Sequence, residues 1–128
     1  MKSYFSILLL LLFAELSLQA QPLRKSSREA NLGAAEAAMT DKNYYQAVTL
    51  LEKAYEEIED ESLLPQLAEM NYQLRDYTKA ARYYRALLRK DKQNNFVELR
   101  YKFGRSLKMN GDCEEALEEF QKFIGATK

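Results

Sequence analysis

Apolar residues recur every three or four positions from about residue 27 onward, with short polar segments between the runs. This spacing is typical of amphipathic α-helices and predicts six of them, the first two at residues 27–40 and 44–58. Pro65 falls in the first turn of the third helix, where a missing N–H costs nothing, and Gly111 follows the fifth. Residues that favour helix N-caps precede the six helices: Ser26, Asn43, Ser62, Asp76, Asn95 and Asp112. The predicted fold class is therefore all-α, because six helices leave no room for a sheet.

The predicted helices form three similar segments. In each, a small residue is followed twelve positions later by an alanine, and four positions after that by a large apolar residue. These positions are Ala35, Ala47 and Leu51; Ala68, Ala80 and Tyr84; and Gly104, Ala116 and Phe120. The pattern predicts three helix–turn–helix units, at about residues 28–60, 61–94 and 97–128. Small residues would let the helices approach closely, and the units must stack because one hairpin cannot bury its apolar surface alone.

This pattern resembles the tetratricopeptide repeat (TPR) family. The matching residues are clearest in the third unit: Phe103-Gly104, Leu107, Gly111-Asp112, Ala116 and Phe120. The second unit departs from the family pattern at Asn71 and Arg75, and the first at Asn31 and Lys42. The resemblance covers about residues 28–124 and implies a short right-handed solenoid that binds a protein or peptide. In overall character the chain is also similar to the N-terminal TPR region of OmpA-like proteins of the Gram-negative cell envelope.

Composition and charge exclude most kinds of chemistry. The 128 residues carry 19 basic and 19 acidic side chains, and this balance argues against a nucleic-acid partner. The chain has no His, the commonest general base and metal ligand, and no nucleophile–base pair is visible. The acidic run at residues 56–61 lacks the alternating ligands and central glycine of a calcium loop. We therefore expect no enzymatic activity, no cofactor and no metal, and we expect the single cysteine, Cys113, to be a buried, inert thiol.

The first 20 residues have the features of a secretory signal peptide. Lys2 precedes an apolar run at residues 4–14, and Ala20 supplies the small residue that a signal peptidase requires before the cut. The run is shorter than the roughly 20 residues of a membrane-spanning helix. We expect location in the periplasm or at the outer membrane; the alternative is an uncleaved anchor that makes the chain a membrane-tethered structural subunit or spacer. The expected divisions are a signal peptide at 1–20, a short linker at 21–25 and a TPR domain at 26–128.

The TPR resemblance implies a partner-binding groove lined by the first helix of each unit. The groove residues carried over by position are Glu36, Glu69, Tyr72, Tyr101, Lys102, Arg105 and Lys108. Lys102, Arg105 and Lys108 are three residues apart and share one helix face, which suits a carboxylate or an acidic peptide. The two tyrosines would supply rigid aromatic contact area. The alternative interpretation is that these are ordinary solvated charges on a helix.

The last helix predicts a second interaction surface. TPR arrays usually finish with an additional polar-faced helix, but this sequence stops about one turn after Phe123 and Ile124. The first helix of the third unit cannot cover all of Leu117, Phe120, Phe123 and Ile124. The resulting apolar patch, on the order of a few hundred Å², is of the size that marks an interface. We expect this end to dock against another chain, to self-associate, or to continue into a domain beyond the sequence.

Overall fold

The computed structural model describes residues 27–93 and 95–127, and these residues are all-α, with no strand among them. The helices are α1 (27–40), α2 (Tyr44–Ile58), α3 (Leu64–Gln73), α4 (Tyr77–Lys90), α5 (Val97–Asn110) and α6 (Cys113–Ala126), with a 3-10 turn (Glu61–Leu63) before α3. The predicted bounds of the first two helices agree with the structure. Ser26 and the predicted signal peptide and linker lie outside the described residues.

Contacts between successive helices join α2 to α3, α3 to α4, α4 to α5 and α5 to α6. Ser27 and Asn31 of α1 donate to the carboxylate of Glu57 in α2, at 3.0 and 3.4 Å. The helices therefore form three hairpins: α1–α2, α3–α4 and α5–α6.

The second helices of consecutive hairpins also meet, through the rings of Tyr55 and Tyr83, whose centroids are 5.9 Å apart. The first helices meet through Met39 and Gln66, whose Sδ and Nε2 atoms are 3.3 Å apart. The hairpins therefore share a continuous core.

The turns within the hairpins repeat the same backbone conformation. Positive φ angles occur at Lys42 (60°), Arg75 (64°) and Gly111 (91°), which are 33 and 36 residues apart. The following residue in each turn donates its N–H to an equivalent carbonyl: Asn43 to Ala38 (2.8 Å), Asp76 to Asn71 (2.9 Å) and Asp112 to Leu107 (3.0 Å). The helical repeat that the sequence predicts is therefore present in the backbone.

The small residues of the repeat lie at the helix contacts, as predicted. All six are buried: Ala35, Ala47, Ala68, Ala80, Gly104 and Ala116. A Cβ added to Gly104 would lie 2.7 Å from a ring carbon of Phe120, closer than such atoms approach in real proteins. The glycine thus allows the Phe120 ring to lie directly on α5. Small residues at these positions set how closely the paired helices pack.

Two of the predicted N-caps are confirmed by their hydrogen bonds. Asn43 accepts from the N–H of Gln46 at 3.3 Å, and Asp76 accepts from the N–H of Lys79 at 3.1 Å. Asp112 occupies the N-cap position of α6 without a side-chain hydrogen bond to the helix. The residues predicted to begin the second helix of each hairpin are therefore correct.

The predicted caps Ser62 and Asn95, between the hairpins, are wrong. The carboxylate of Asp60 accepts from the N–H and the hydroxyl of Ser62, at 3.0 and 2.7 Å. The carboxylate of Asp91 accepts from the N–H groups of Asn95 and Phe96, at 2.8 and 2.9 Å. In both connections an upstream aspartate accepts two hydrogen bonds from the residues that precede the helix, because a carboxylate can accept more than one hydrogen bond.

Replacing Arg75 by glycine should stabilise the protein, since Arg75 holds a left-handed backbone conformation that glycine adopts without steric cost. We expect a gain of about 0.5–1 kcal/mol in the free energy of unfolding, measured by urea denaturation. The matched control Lys53→Gly, on the exposed side of α2, should lose about 1 kcal/mol. Equal losses from both substitutions would contradict the strain assigned to Arg75.

Candidate protein-binding surfaces

The predicted groove contains a hydrogen-bonded cluster centred on the carboxylate of Glu69, in α3. Lys102 of α5 donates its Nζ to both carboxylate oxygens, at 2.8 and 2.7 Å. Gln73 donates to Oε1 at 2.8 Å, and the hydroxyl of Tyr84 donates to Oε2 at 3.1 Å. Glu69 thus ties the second hairpin to the third.

This cluster favours the ionised form of Glu69. Partial burial opposes ionisation and is the largest single influence, but the hydrogen bonds from Lys102, Gln73 and Tyr84 together outweigh it and lower the pKa of Glu69. Burial, together with the negative charge of Glu69, raises the pKa of Tyr84. The pair therefore persists as a carboxylate and a neutral phenol across the physiological pH range.

Tyr72 lies beside this cluster between two cations. The Nζ of Lys102 and the Cζ of Arg105 each lie 5.7 Å from the centre of the Tyr72 ring, within the range of a cation–π interaction. The ring also meets Tyr77 edge to face, with centroids 5.9 Å apart. The structure thus brings together four of the predicted groove residues: Glu69, Tyr72, Lys102 and Arg105.

The predicted basic stripe is only partly available to a ligand. Lys102 is half-buried and paired with Glu69, whereas Arg105 and Lys108 are exposed and make no ion pair within the described residues. Glu36 is also exposed, and its carboxylate has no ion pair in the same part of the chain. The available groove charges are therefore Arg105 and Lys108 at one end and Glu36 at the other.

Tyr101 lies apart from the groove cluster. Its ring packs on α6, with centroids 5.8 Å from Phe120 and 5.7 Å from Phe123. The predicted groove residues thus divide between two places in the structure.

An open hollow of about 460 Å³ adjoins Glu69, and its lining residues are Tyr44, Glu69, Met70, Gln73 and Leu74.

An exposed apolar surface runs along α6 and the adjoining side of α5. We call it the C-terminal face and define it by Tyr101, Lys108, Cys113, Leu117, Phe120 and Ile124. Leu117 is 58% exposed, Ile124 53% and Tyr101 46%. Phe120 and Phe123 are half-buried, and a hollow of about 210 Å³ runs beside Lys108, Cys113 and Phe120. Leu117, Phe120 and Ile124, which were predicted for this interface, therefore lie on one surface with Tyr101. Phe123, the fourth predicted residue, is half-buried and contacts the Tyr101 ring.

The positions of Leu117 and Ile124 are less exposed in the other two hairpins. The counterparts of Leu117 are Val48 and Ala81, which are 6% and 2% exposed. The counterparts of Ile124 are Tyr55 and Leu88, which are half-buried and buried. In those hairpins the next hairpin packs against the surface, as the contacts of α2 with α3 and of α4 with α5 show. The C-terminal face is thus the surface that, in the first two hairpins, packs against the next hairpin. In the third hairpin no described residue packs against it.

The prediction that Cys113 is buried is wrong, because its side chain is exposed. Cys113 is the first residue of α6 and lies on the side of the helix that carries Leu117 and Ile124. That side faces away from α5, so its own hairpin cannot cover the thiol.

Sequence reasoning missed two buried polar networks. Asn71, a departure from the TPR pattern, is buried and donates to the carbonyl of Leu67 (2.9 Å) and to Glu52 (3.4 Å), which also binds Lys79 at 2.8 Å. In the third hairpin, buried Glu119 binds Arg100 at 2.9 Å and Lys122 at 2.6 Å. The sequence did show polar residues at core positions that are apolar in the other hairpins. It could not show their hydrogen-bond partners, because most of these are distant in sequence.

No helix among the described residues is long and apolar enough to cross a membrane. No protein-family model matches the chain, and no curated protein sequence matches it significantly.

Replacing Glu69 by glutamine should destabilise the protein by about 1 kcal/mol at pH 7, because the ion pair with Lys102 is lost. The pKa of Glu69 is lower in the folded state, so its contribution is present above the unfolded pKa and is lost as pH falls through the folded pKa. Urea denaturation should therefore show the gap between Glu69→Gln and the unmodified protein closing below about pH 4.

The control for this measurement is Glu118→Gln, which removes an exposed carboxylate of α6 without an ion pair in the described ranges. Its effect at pH 7 should be small. A Glu69→Gln deficit that stays constant from pH 7 to below pH 4 would refute the stabilising role of the ionised carboxylate.

Proposed function

We propose that this chain is a non-enzymatic protein-binding scaffold of the TPR type, in which the three hairpins stack as a short right-handed solenoid. The repeated turns, the buried small residues and the contacts between equivalent helices support this proposal. The scaffold binds its partner through the C-terminal face. An α-helix is the element that fits there, because α3 and α5 occupy the equivalent surfaces of the first two hairpins.

The observation that carries the proposal is the change in exposure at two repeat positions, those of Leu117 and Ile124. Val48, Ala81 and Leu88 are buried inside the chain, whereas the equivalent Leu117 and Ile124 are exposed. A docked helix would remove the apolar surface of Leu117 and Ile124 from water. Each fully buried aliphatic side chain contributes about 1.5–3 kcal/mol. The face also has aromatic contact area in Tyr101 and Phe120, the kind of residue that anchors protein interfaces.

The groove contributes charge to the same binding event. Lys108 of α5 lies on the C-terminal face, whereas Lys102 is already neutralised by Glu69 and Arg105 lies over the Tyr72 ring. A docked helix with acidic residues toward α5 would therefore be favoured over a basic one. The surface thus selects an amphipathic helix that is apolar toward α6 and acidic toward α5.

We propose further that the scaffold works in the Gram-negative cell envelope, after export and cleavage following Ala20. The short apolar run at residues 4–14 and the small residue at position 20 support this location. The alternative proposal is that the segment stays in the membrane and the repeats act as a tethered spacer. The intact mass of the protein recovered from cells separates these two, since cleavage leaves Gln21 as the first residue.

A photoreactive amino acid placed at position 117 tests the binding surface in cells that express the protein. We expect a covalent adduct of defined mass at position 117, because a partner helix covers Leu117. The control position is Lys53, which is exposed on α2 and should give no adduct. If position 117 behaves like position 53, the C-terminal face is not the binding surface.

A further inference from the structure

We propose that the helix covering the C-terminal face is α1 of a second copy of this chain, docked head to tail. This inference rests on the proposed function and adds the identity of the partner. Three observations carry it: the register of the repeat, the size of the residues on the outer side of α1, and the charges that the register would bring together.

The register follows from contacts inside the chain. Tyr84 of the second hairpin packs on Phe103 of the third, with ring centroids 6.5 Å apart. The residue equivalent to Tyr84 in the third hairpin is Phe120, and the residue equivalent to Phe103 in α1 is Ala34. A second copy that continues the repeat therefore places Ala34 against Phe120.

The outer side of α1 is small and exposed. Its exposed small residues are Ala30, Gly33, Ala34 and Ala37. A Cβ added at Gly33 would meet nothing within 4 Å, so this side has free space. The equivalents of Ala34 in the other first helices, Leu67 and Phe103, are bulky and buried, and Phe103 packs on Tyr84 of the preceding hairpin. Because α6 presents bulky side chains, a helix surface of small residues lets the two backbones approach closely.

The charges are complementary in the same register. Tyr72 of α3 faces Arg105 of α5, at 5.7 Å from the ring centre. The residue equivalent to Tyr72 in the third hairpin is Lys108, and the residue equivalent to Arg105 in α1 is Glu36. Continuation of the repeat therefore brings the ammonium of Lys108 to the carboxylate of Glu36 of the next copy. Both side chains are exposed and have no ion pair among the described residues.

One contact in this register is unfavourable. The hydroxyl of Thr78 donates to the side-chain oxygen of Asn110 at 3.3 Å, across the second and third hairpins. The equivalent residues at the new contact are Glu114 and Asp41, two carboxylates that repel each other. This repulsion weakens the association. A substitution that removes the negative charge at position 114 should therefore strengthen binding.

The contact joins two different surfaces, so it does not close on itself in a dimer. A head-to-tail contact leaves one free α1 surface and one free C-terminal face, and further copies add to either end unless a ring closes. This distinguishes it from a symmetric dimer, in which two C-terminal faces would meet and both would be consumed.

Sedimentation velocity on the full protein, from about 1 to about 200 μM, tests the inference, since this range covers weak association. We expect the unmodified protein to form species that grow beyond a dimer as concentration rises. Leu117→Glu and Ala34→Arg change exposed positions, and each should raise the dissociation constant about ten-fold or more. An equimolar mixture of the two variants should form a one-to-one dimer and nothing larger, because each retains one intact surface.

Charge variants test the register. Lys108→Glu and Glu36→Lys should each weaken association, and the protein carrying both substitutions should recover it. Glu114→Lys should tighten association, because it replaces the repulsion between Glu114 and Asp41 by an attraction. The control Lys53→Glu lies on the exposed side of α2 and should leave the dissociation constant unchanged.

A protein that stays monomeric throughout the concentration range would overturn this inference. If position 117 nevertheless forms adducts with a different protein in cells, the proposed function stands and only the identity of the partner is wrong. A dimer that survives Ala34→Arg but is lost in Leu117→Glu, with no dimer gained on mixing, would show symmetric pairing instead. Association without any effect of the Lys108 and Glu36 substitutions would overturn the register.

Discussion

A helical hairpin of this size cannot bury both sides of its second helix, and the rest of the structure follows from that constraint. The inner side packs on the hairpin's own first helix, whereas the outer side needs a helix from elsewhere. In the first two hairpins the next hairpin supplies it, and Val48, Ala81 and Leu88 are buried there. In the third hairpin the equivalent Leu117 and Ile124 face solvent among the described residues. One packing requirement therefore accounts for both the core and the candidate binding surface.

Much of the fold could be predicted from the sequence because the repeat is local. The small residues, the bulky residues four positions later and the turns each recur within one hairpin, so Ala47, Ala80 and Ala116 could be identified without knowing the packing. The connections between hairpins could not be predicted in the same way. Asp60 and Asp91 accept hydrogen bonds from residues two to five positions downstream, whereas the local N-cap pattern pointed to Ser62 and Asn95.

The candidate site was predicted less completely, because its behaviour depends on partners that are distant in sequence. Helical spacing correctly placed Lys102, Arg105 and Lys108 on one helix, but it could not show that Glu69, 33 residues earlier, neutralises Lys102. Cys113 was expected inside the core, yet only the side of α6 that faces α5 is buried. Comparing equivalent positions in the three hairpins is more informative than any one motif, since it shows which surfaces the repeat normally covers.

The reactivity of the Cys113 thiol measures directly whether the stacking requirement is met by another molecule. Cys113 is the chain's single cysteine and lies on the C-terminal face, so an alkylating reagent reports on that surface without any substitution. The account predicts that alkylation slows as the protein concentration rises. A rate that is the same at every concentration would contradict it, because the apolar face of α6 would then remain in water.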